Sequence, residues 1–544
     1  MGRRIGSSTQ YSFLAGVNYT NGYTYDAASN RTSLTAPDGS ITTYGYDTLN
    51  RLNGLANSWA GSFGFSYDAL SRRTSLTRPN GVNTSYSYDS VSHLLSVLHK
   101  LGVNTVDGAG YSYDPAGNRT AKTNYLNGIT SDYAYDQLYE LTQVTQGAST
   151  TESYSYDAVG NRLSSSGVPS YNYNVSNELT SSSSGGYSYD ANGNTLSDAQ
   201  GRSFTWDFEN RLIQAVVPGT NGGTTTFKYD PFGRRIQKSG PLGTTNYLYG
   251  ETDAGRSAAN VIEEVDNSGN VLARYVPNQS LGIDQPLAEL RSGTTSYYEQ
   301  DGLGSVTTLS TAAGTLANTY TYDSFGNLTA STGSVTNPFQ YTGRDYDPET
   351  GLRYYRTRYF DPTVGRFISE DMAHFEGGSN FYRYVRNSPT RFVDPFGLAE
   401  VNPQDMASME SLFPGYTSLS KTGIVVPVPC DVARRILEQN GFYSSDNWPS
   451  IPTPVPNSGG LSIPGNPFLF WDPIAHSGGW EFRKPDGMHI RMKYPNKPCD
   501  KDCTLDEAHE DEYNPMYDPW GHFWYELVPY VVSKSFPIGP PVFF

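Results

Sequence analysis

Nowhere in the 544 residues do 18 apolar ones follow one another, so no helical membrane span is expected. Charge is sparse as well: Asp, Glu, Lys and Arg make up 17% of the chain, and their balance is −16. A chain of that sign does not coat nucleic acid or an anionic membrane along its whole length. Only three cysteines occur, Cys430, Cys499 and Cys503, an odd and late cluster that does not make a disulfide framework. No phosphate-binding loop, dinucleotide fingerprint or H-E-x-x-H motif is present. Met1-Gly2-Arg3-Arg4 is basic but no apolar stretch follows it, so no conventional signal peptide is read. Export then calls for a dedicated machine or for an upstream segment.

What the chain does have is 43 Tyr and 55 Gly, too many for a helical protein, and too many aromatics for a disordered one. Its length exceeds one compact core, so two or more units are expected. Tyr-Asp pairs recur at 25–26, 46–47, 67–68, 88–89, 113–114, 135–136 and 156–157, with later copies at 189–190, 229–230 and 322–323. The first three steps are 21 residues each, a period that marks an array of units burying one another's apolar faces. The endings, such as Thr42-Thr43-Tyr44-Gly45-Tyr46-Asp47, alternate aromatic with small or polar residues, which is a strand signal. Ser29-Asn30 and Asp38-Gly39 supply turn residues, so each unit reads as a β-hairpin with Tyr23 and Tyr25 on one face.

After the repeats comes Tyr341 to Leu398, dense in arginine and tyrosine, with three Asp-Pro dipeptides at 347–348, 361–362 and 394–395. The arginines Arg344, Arg353, Arg356, Arg366 and Arg383 alternate with Glu349, Asp361, Glu370 and Asp371, which favours a salt-bridged plug over a nucleic-acid surface. The order G-L-x-Y-Y-x-x-R-Y-x-D-P, G-R-F-x-S-x-D, N-x-Y-x-Y-x-x-N-x-P and D-P-F-G-L resembles the Rhs-associated core of bacterial Rhs/YD-repeat proteins. The resemblance covers the chain up to Leu398. It implies a mainly β fold, in which an antiparallel YD-repeat sheet (1–340) spirals into a hollow shell and a core (341–398) plugs one end. A variable C-terminal toxin domain (399–544), expected to be a small α+β unit, follows. A flat adhesin-like array with an exposed binding face and a non-enzymatic tail is the alternative.

Taken alone, Asp-Pro-Phe-Gly-Leu reads as a capped turn. The resemblance implies instead an aspartic self-cleavage just after this motif, between Leu398 and Ala399, with Asp371 and Asp394 as the carboxylates and Arg358 as their basic partner. Such chemistry needs two carboxylates close enough that one keeps a proton while the other activates water. The family has proline after the first aspartate, where this chain has Met372.

From Ala399 the composition changes: 20 of the 34 prolines and all the cysteines lie there, and the repeat stops. Asp431 caps a helix over 431–440, and Thr504 with Glu507 forms a capping box for a second, acidic turn. Groups suited to acid–base work gather in two places. His489 and Arg491 alternate along an expected strand, and His522 and Trp524 along another, with Glu526 in the same stretch as the latter. Two histidines with an arginine suit metal-independent RNA cleavage, and the arrangement resembles small ribonuclease toxins. The tail's 10 Lys and Arg against 18 Asp and Glu, a net of −8, lack a phosphate binder's basic footprint, which keeps a protein-modifying activity open. Cys499, Cys503 and His509, with His476 or His522 as a fourth ligand, are the candidate zinc set; no other cofactor is expected. The family implies an immunity protein, a secretion-machine component and a target-cell macromolecule (RNA or protein) as partners. It also implies a secreted toxin that acts in the target-cell cytoplasm in interbacterial competition.

Overall fold

The computed structural model describes residues 3–403 apart from 15, 221, 253–254, 278–283, 373–378 and 399, and beyond them seven short strands between 427 and 504. The chain divides into two compact units, Met1–Ser418 and Leu419–Phe544. In the first, consecutive strands pair antiparallel in chain order. A 15-stranded sheet runs from Gly6–Thr9 to Arg162–Ser165, three strands follow between Tyr171 and Gly186, and a 14-stranded sheet runs from Ser188–Tyr189 to Leu328–Thr332.

Each Tyr-Asp pair ends a strand and begins the same turn. Asp68 Oδ1 accepts hydrogen bonds from the N–H groups of Leu70 and Arg72, both at 2.9 Å, and its Oδ2 accepts one from Arg72 Nε at 2.7 Å. Ser71 takes φ +62° inside the turn, closed by its N–H on Asp68 O. The register slips by one residue between Ser66 and Tyr67, a β-bulge that sets Tyr67 opposite Arg73. Tyr67 Oη then donates to Leu52 O of the preceding hairpin at 2.8 Å. Tyr46, Tyr88 and Tyr156 make the same link to Arg31, Arg73 and Leu141. The aspartate therefore builds the turn and the tyrosine ties one hairpin to the last, so one hairpin per repeat is the observed unit.

Alternate residues face inward: Tyr19, Asn21 and Tyr23 are buried while Thr20 and Thr24 are exposed. These faces meet each other within the unit. Leu34, Leu55, Phe63 and Leu76 of early strands share a cluster with Ile262, Val276, Leu287 and Tyr297 of late ones. Tyr297 Oη donates to Ala60 O and Arg78 to Tyr298 O, both at 2.8 Å, pinning the two sheets together. Residues 341–398 add a four-stranded sheet, Asp345–Asp347, Leu352–Tyr355, Arg358–Asp361 and Arg366–Phe367. Its Tyr355, Phe360 and Phe367 pack with Leu141 and Phe325 of the array.

Several acids are buried where the sheets meet. Burial, and then the Asp38 carboxylate, push Glu263 up to about 8. Burial pushes Glu289 and Glu299 up to about 7, against the pull of Arg291 and Arg78. These folded-state values lie above the unfolded ones, so the folded unit holds more protons. That stability is fully present below about pH 4.5 and is lost as pH rises through about 7 to 8. The urea midpoint of the first unit is therefore expected to be higher at about pH 5.5 than at about pH 8.5. Glu263→Gln, which has no such proton to lose, should narrow the gap. A midpoint that is equal or higher at the alkaline pH would contradict this assignment.

In the second unit the described strands form one antiparallel sheet in the order Pro427–Val428, Cys503–Thr504, His489–Lys493, Gly479–Arg483, Leu469–Trp471, Leu461–Ser462 and Thr453–Pro454. His489 lies opposite Arg483 and Arg491 opposite Glu481. The helix expected at 431–440 and the turn expected after Thr504 lie outside the described residues. No helix among the described residues is long and apolar enough to cross a membrane.

Candidate active site

The strand Arg358–Asp361 delivers Arg358 into the interior of the first unit, where the residue is 3% exposed and its guanidinium lies 3.6 Å from the centroid of the Phe367 ring. All its nitrogens are engaged. One terminal nitrogen reaches Asp371 Oδ2 at 2.7 Å and Asp394 Oδ2 at 3.5 Å. The other donates to Phe381 O at 2.8 Å, and Nε donates to Gly397 O at 2.5 Å. Asp371 and Asp394 are both buried. Two carboxylates 23 residues apart in sequence thus share one guanidinium, which also holds the carbonyl of Gly397, one residue before the Leu398–Ala399 bond. The Asp371 N–H donates to Phe381 O at 3.0 Å.

Asp-Pro-Phe-Gly-Leu is gripped along its length. Asp394 Oδ1 accepts from Gly397 N at 2.8 Å and Leu398 N at 3.0 Å, folding the motif around its own carboxylate. Arg344 donates to Pro395 O at 2.7 Å, and Thr357 Oγ1 to Phe396 O at 2.6 Å. Gly397 takes φ +72°, and a Cβ there would stand 2.8 Å from Tyr355 O, so both conformation and space require glycine. Asp284 of the array orients the grip by pairing with Arg344 at 3.0 Å and with Arg356. A cavity of about 410 Å³ opens beside Asp394 and Pro395, lined also by Arg73, Gln300 and Thr342.

Sequence reading missed Arg344, Thr357 and Asp284 as parts of this site, since their contacts join positions with no shared local pattern. The interleaved-charge reading of the plug also needs detail. Its arginines pair mostly with the array: Arg344 and Arg356 with Asp284, and Arg383 with Glu140 at 3.6 Å. Arg353 and Arg366 bind carbonyls, Gly326 O at 2.8 Å and Asn177 O at 2.6 Å. Of the tail candidates, His489 and Arg491 fall in a described strand and Cys503 in another. His476, Cys499, His509, His522 and Glu526 lie outside the described residues, as does Ala399.

A family model described as "Teneurin YD-shell" matches residues 110–392, more than half of the chain, and one described as "RHS Repeat" matches 25–62. "tRNA nuclease WapA" of Bacillus subtilis is 32% identical over 296 residues, covering 53% of this chain and 11% of that protein. "Double-stranded DNA deaminase toxin A" of Burkholderia cenocepacia is 28% identical over 312 residues, covering 53% and 21%. Among solved structures, TcdB2-TccC3 without its hypervariable C-terminal region has a TM-score of 0.61 at 22% identity, covering 71% of this chain and 22% of that one. That likeness concerns the fold. The chain spans about a tenth to a fifth of the length of these relatives. Its repeat geometry and the span of the shell model agree, and the chain belongs to the YD-shell family of Rhs/YD-repeat proteins.

Proposed function

We propose that this chain is part of a secreted toxin that frees its C-terminal effector by hydrolysing its own Leu398–Ala399 bond. The observation that carries the reading is Arg358 holding Asp371 and Asp394 together beside the Gly397 carbonyl. In the step, water adds to the Leu398 carbonyl carbon as one carboxylate takes a proton from it. The other carboxyl supplies a proton to the Ala399 nitrogen, the C–N bond breaks, and a carboxylate and an amine result. The dyad titrates as a unit, so neither role is assigned to one residue. Arg358 balances the charge of the pair, and the cavity beside Asp394 supports a supply of water.

For the effector, His489, Arg491, His522 and Glu526 favour RNA cleavage, with one histidine as base, the other as acid and the arginine on the phosphate. One relative's name is that of a tRNA nuclease and another's that of a DNA deaminase. The shared stretch therefore leaves effector chemistry to the tail's own residues. Zinc at Cys499, Cys503 and His509 is the alternative chemistry. An immunity protein, a secretion machine and an RNA in the target-cell cytoplasm are the partners this reading calls for.

One experiment tests both halves. The full chain, made in a bacterium, should yield a fragment ending at Leu398 and one beginning at Ala399 by intact mass, with growth arrested and tRNA degraded. His489→Ala and His522→Ala should spare the RNA and leave the cut unchanged. Intact RNA with arrested growth would redirect the effector reading to protein modification or zinc chemistry. A fragment ending at Asp394 would mean acid hydrolysis of Asp394–Pro395 instead.

A further inference from the structure

The chain past the bond stays at the site. Val393 N donates to Val401 O at 2.9 Å and Val401 N to Val393 O at 2.7 Å, a reciprocal antiparallel pair. It closes a loop, 394–400, with Asp394 at its start and the Leu398–Ala399 bond near its end. Within that loop the Glu400 carboxylate, 15% exposed, is ion-paired with Arg386 at 2.5 Å.

Arg386 is carried on an unusual turn. Val385, Arg386 and Asn387 take φ of +40°, +52° and +55° in succession. A β-branched residue there is a steric outlier, and such a run persists only when its surroundings over-determine it. They do. Val385 is buried beside Tyr355, Phe360 and Leu141. Asn387 Nδ2 donates to Gly160 O at 2.8 Å and to Glu140 Oε1 at 2.9 Å, anchoring the turn on two repeats of the array. Strain maintained by the shell thus presents a guanidinium to the second residue beyond the bond.

We infer that Arg386 is a positioning residue that fixes the departing side of the Leu398–Ala399 bond through Glu400, so that the site selects an acidic residue at that place. The inference rests on the self-cleavage reading. Upstream of the bond, Arg344, Thr357 and Arg358 hold three successive carbonyls. Downstream, the valine pair is backbone to backbone and indifferent to side chains, whereas the Arg386–Glu400 pair reads one. Hydrolysis needs both flanks fixed, because the amide nitrogen must meet the proton that lets it leave. A displacement of about 1 Å costs on the order of a hundredfold in rate.

The full chain is made by cell-free translation and sampled over time, with fragments identified by mass. Arg386→Glu and Glu400→Arg are each expected to slow the cut by about tenfold or more. The double exchange Arg386→Glu/Glu400→Arg should return it to within about threefold of wild type, a rescue that damage to folding would not give. Arg386 is 61% exposed, so these changes empty no core. A wild-type chain that cuts while Arg386→Glu cuts equally fast, or a double exchange as slow as the singles, overturns this inference alone. A wild-type chain that stays whole removes the cleavage reading and this inference with it.

Discussion

Asp371→Asn and Asp394→Asn chains should each run whole at 59.8 kDa, whereas the wild type is expected to separate after Leu398. An amide can neither take the proton from water nor donate an acidic one, so the expected loss of rate is on the order of a thousandfold or more. The exchange is a clean one for Asp394. Its Oδ1 accepts from Gly397 N at 2.8 Å and Leu398 N at 3.0 Å, and an asparagine Oδ1 can keep both bonds. The loop should therefore persist while the chemistry stops. Arg358→Lys asks a different question. The arginine spans both carboxylates and the carbonyls of Phe381 and Gly397 at once, a fork that one ammonium cannot reproduce. Slowing by about a hundredfold, with the cut still after Leu398, is expected. Intact mass after cell-free synthesis measures all three. Normal cutting in either Asp→Asn chain would exclude the aspartic mechanism.

Replacing Arg235 with alanine should cost the first unit about 3–5 kcal/mol, the range seen when a buried ion pair loses one member. Arg235 is 1% exposed and bonds both Asp345 and Asp347, which alternate along one strand and so present their carboxylates on the same face. Its guanidinium stacks 4.5 Å from the centroid of Tyr354 and 5.1 Å from that of Tyr247. Lys238 Nζ lies 3.0 Å from Asp347 Oδ1 and could hold that carboxylate, but Asp345 would lose the cation bonded to it and keep only the weaker pull of Lys238. Burial already pushes Asp345 up to about 7, against the pull of Arg235, so its loss leaves an acid that cannot ionise cheaply. Urea unfolding in an Asp394→Asn background keeps the comparison to one uncut chain, and hydrogen exchange over 230–240 and 341–398 locates the loss. Adding Asp345→Asn should recover part of it. A loss under about 1 kcal/mol would mean that this cluster does not hold the core to the array.

How much of this was legible beforehand follows from the range of each interaction. The repeat is written in short-range bonds: Asp68 to Leu70 and Arg72, or Tyr67 back to Leu52. Such contacts recur at a fixed spacing, so a strand-turn-strand array and an antiparallel fold could be read directly from Tyr-Asp pairs and alternating aromatics. The motif order in 341–398 pointed by resemblance to Arg358, Asp371 and Asp394, and to the Leu398–Ala399 bond.

The rest depended on contacts without any local signature. Tyr297 on Ala60, Lys122 on Asp301 at 2.9 Å and Arg235 on Asp345 exist only because late strands lie against early ones. Asp284 beneath Arg344 and Arg356, Thr357 on Phe396, and the strained turn that brings Arg386 to Glu400 are of the same kind. By itself the sequence determined the hairpin unit, its antiparallel pairing and the motifs to look at, because hydrogen bonds a few residues long leave a period in the chain. Which charges meet in the interior, and what holds each side of the bond, only the tertiary structure decided. Burial makes such pairs strong, and the partners that burial selects lie far apart in the chain, as Tyr297 and Ala60 do.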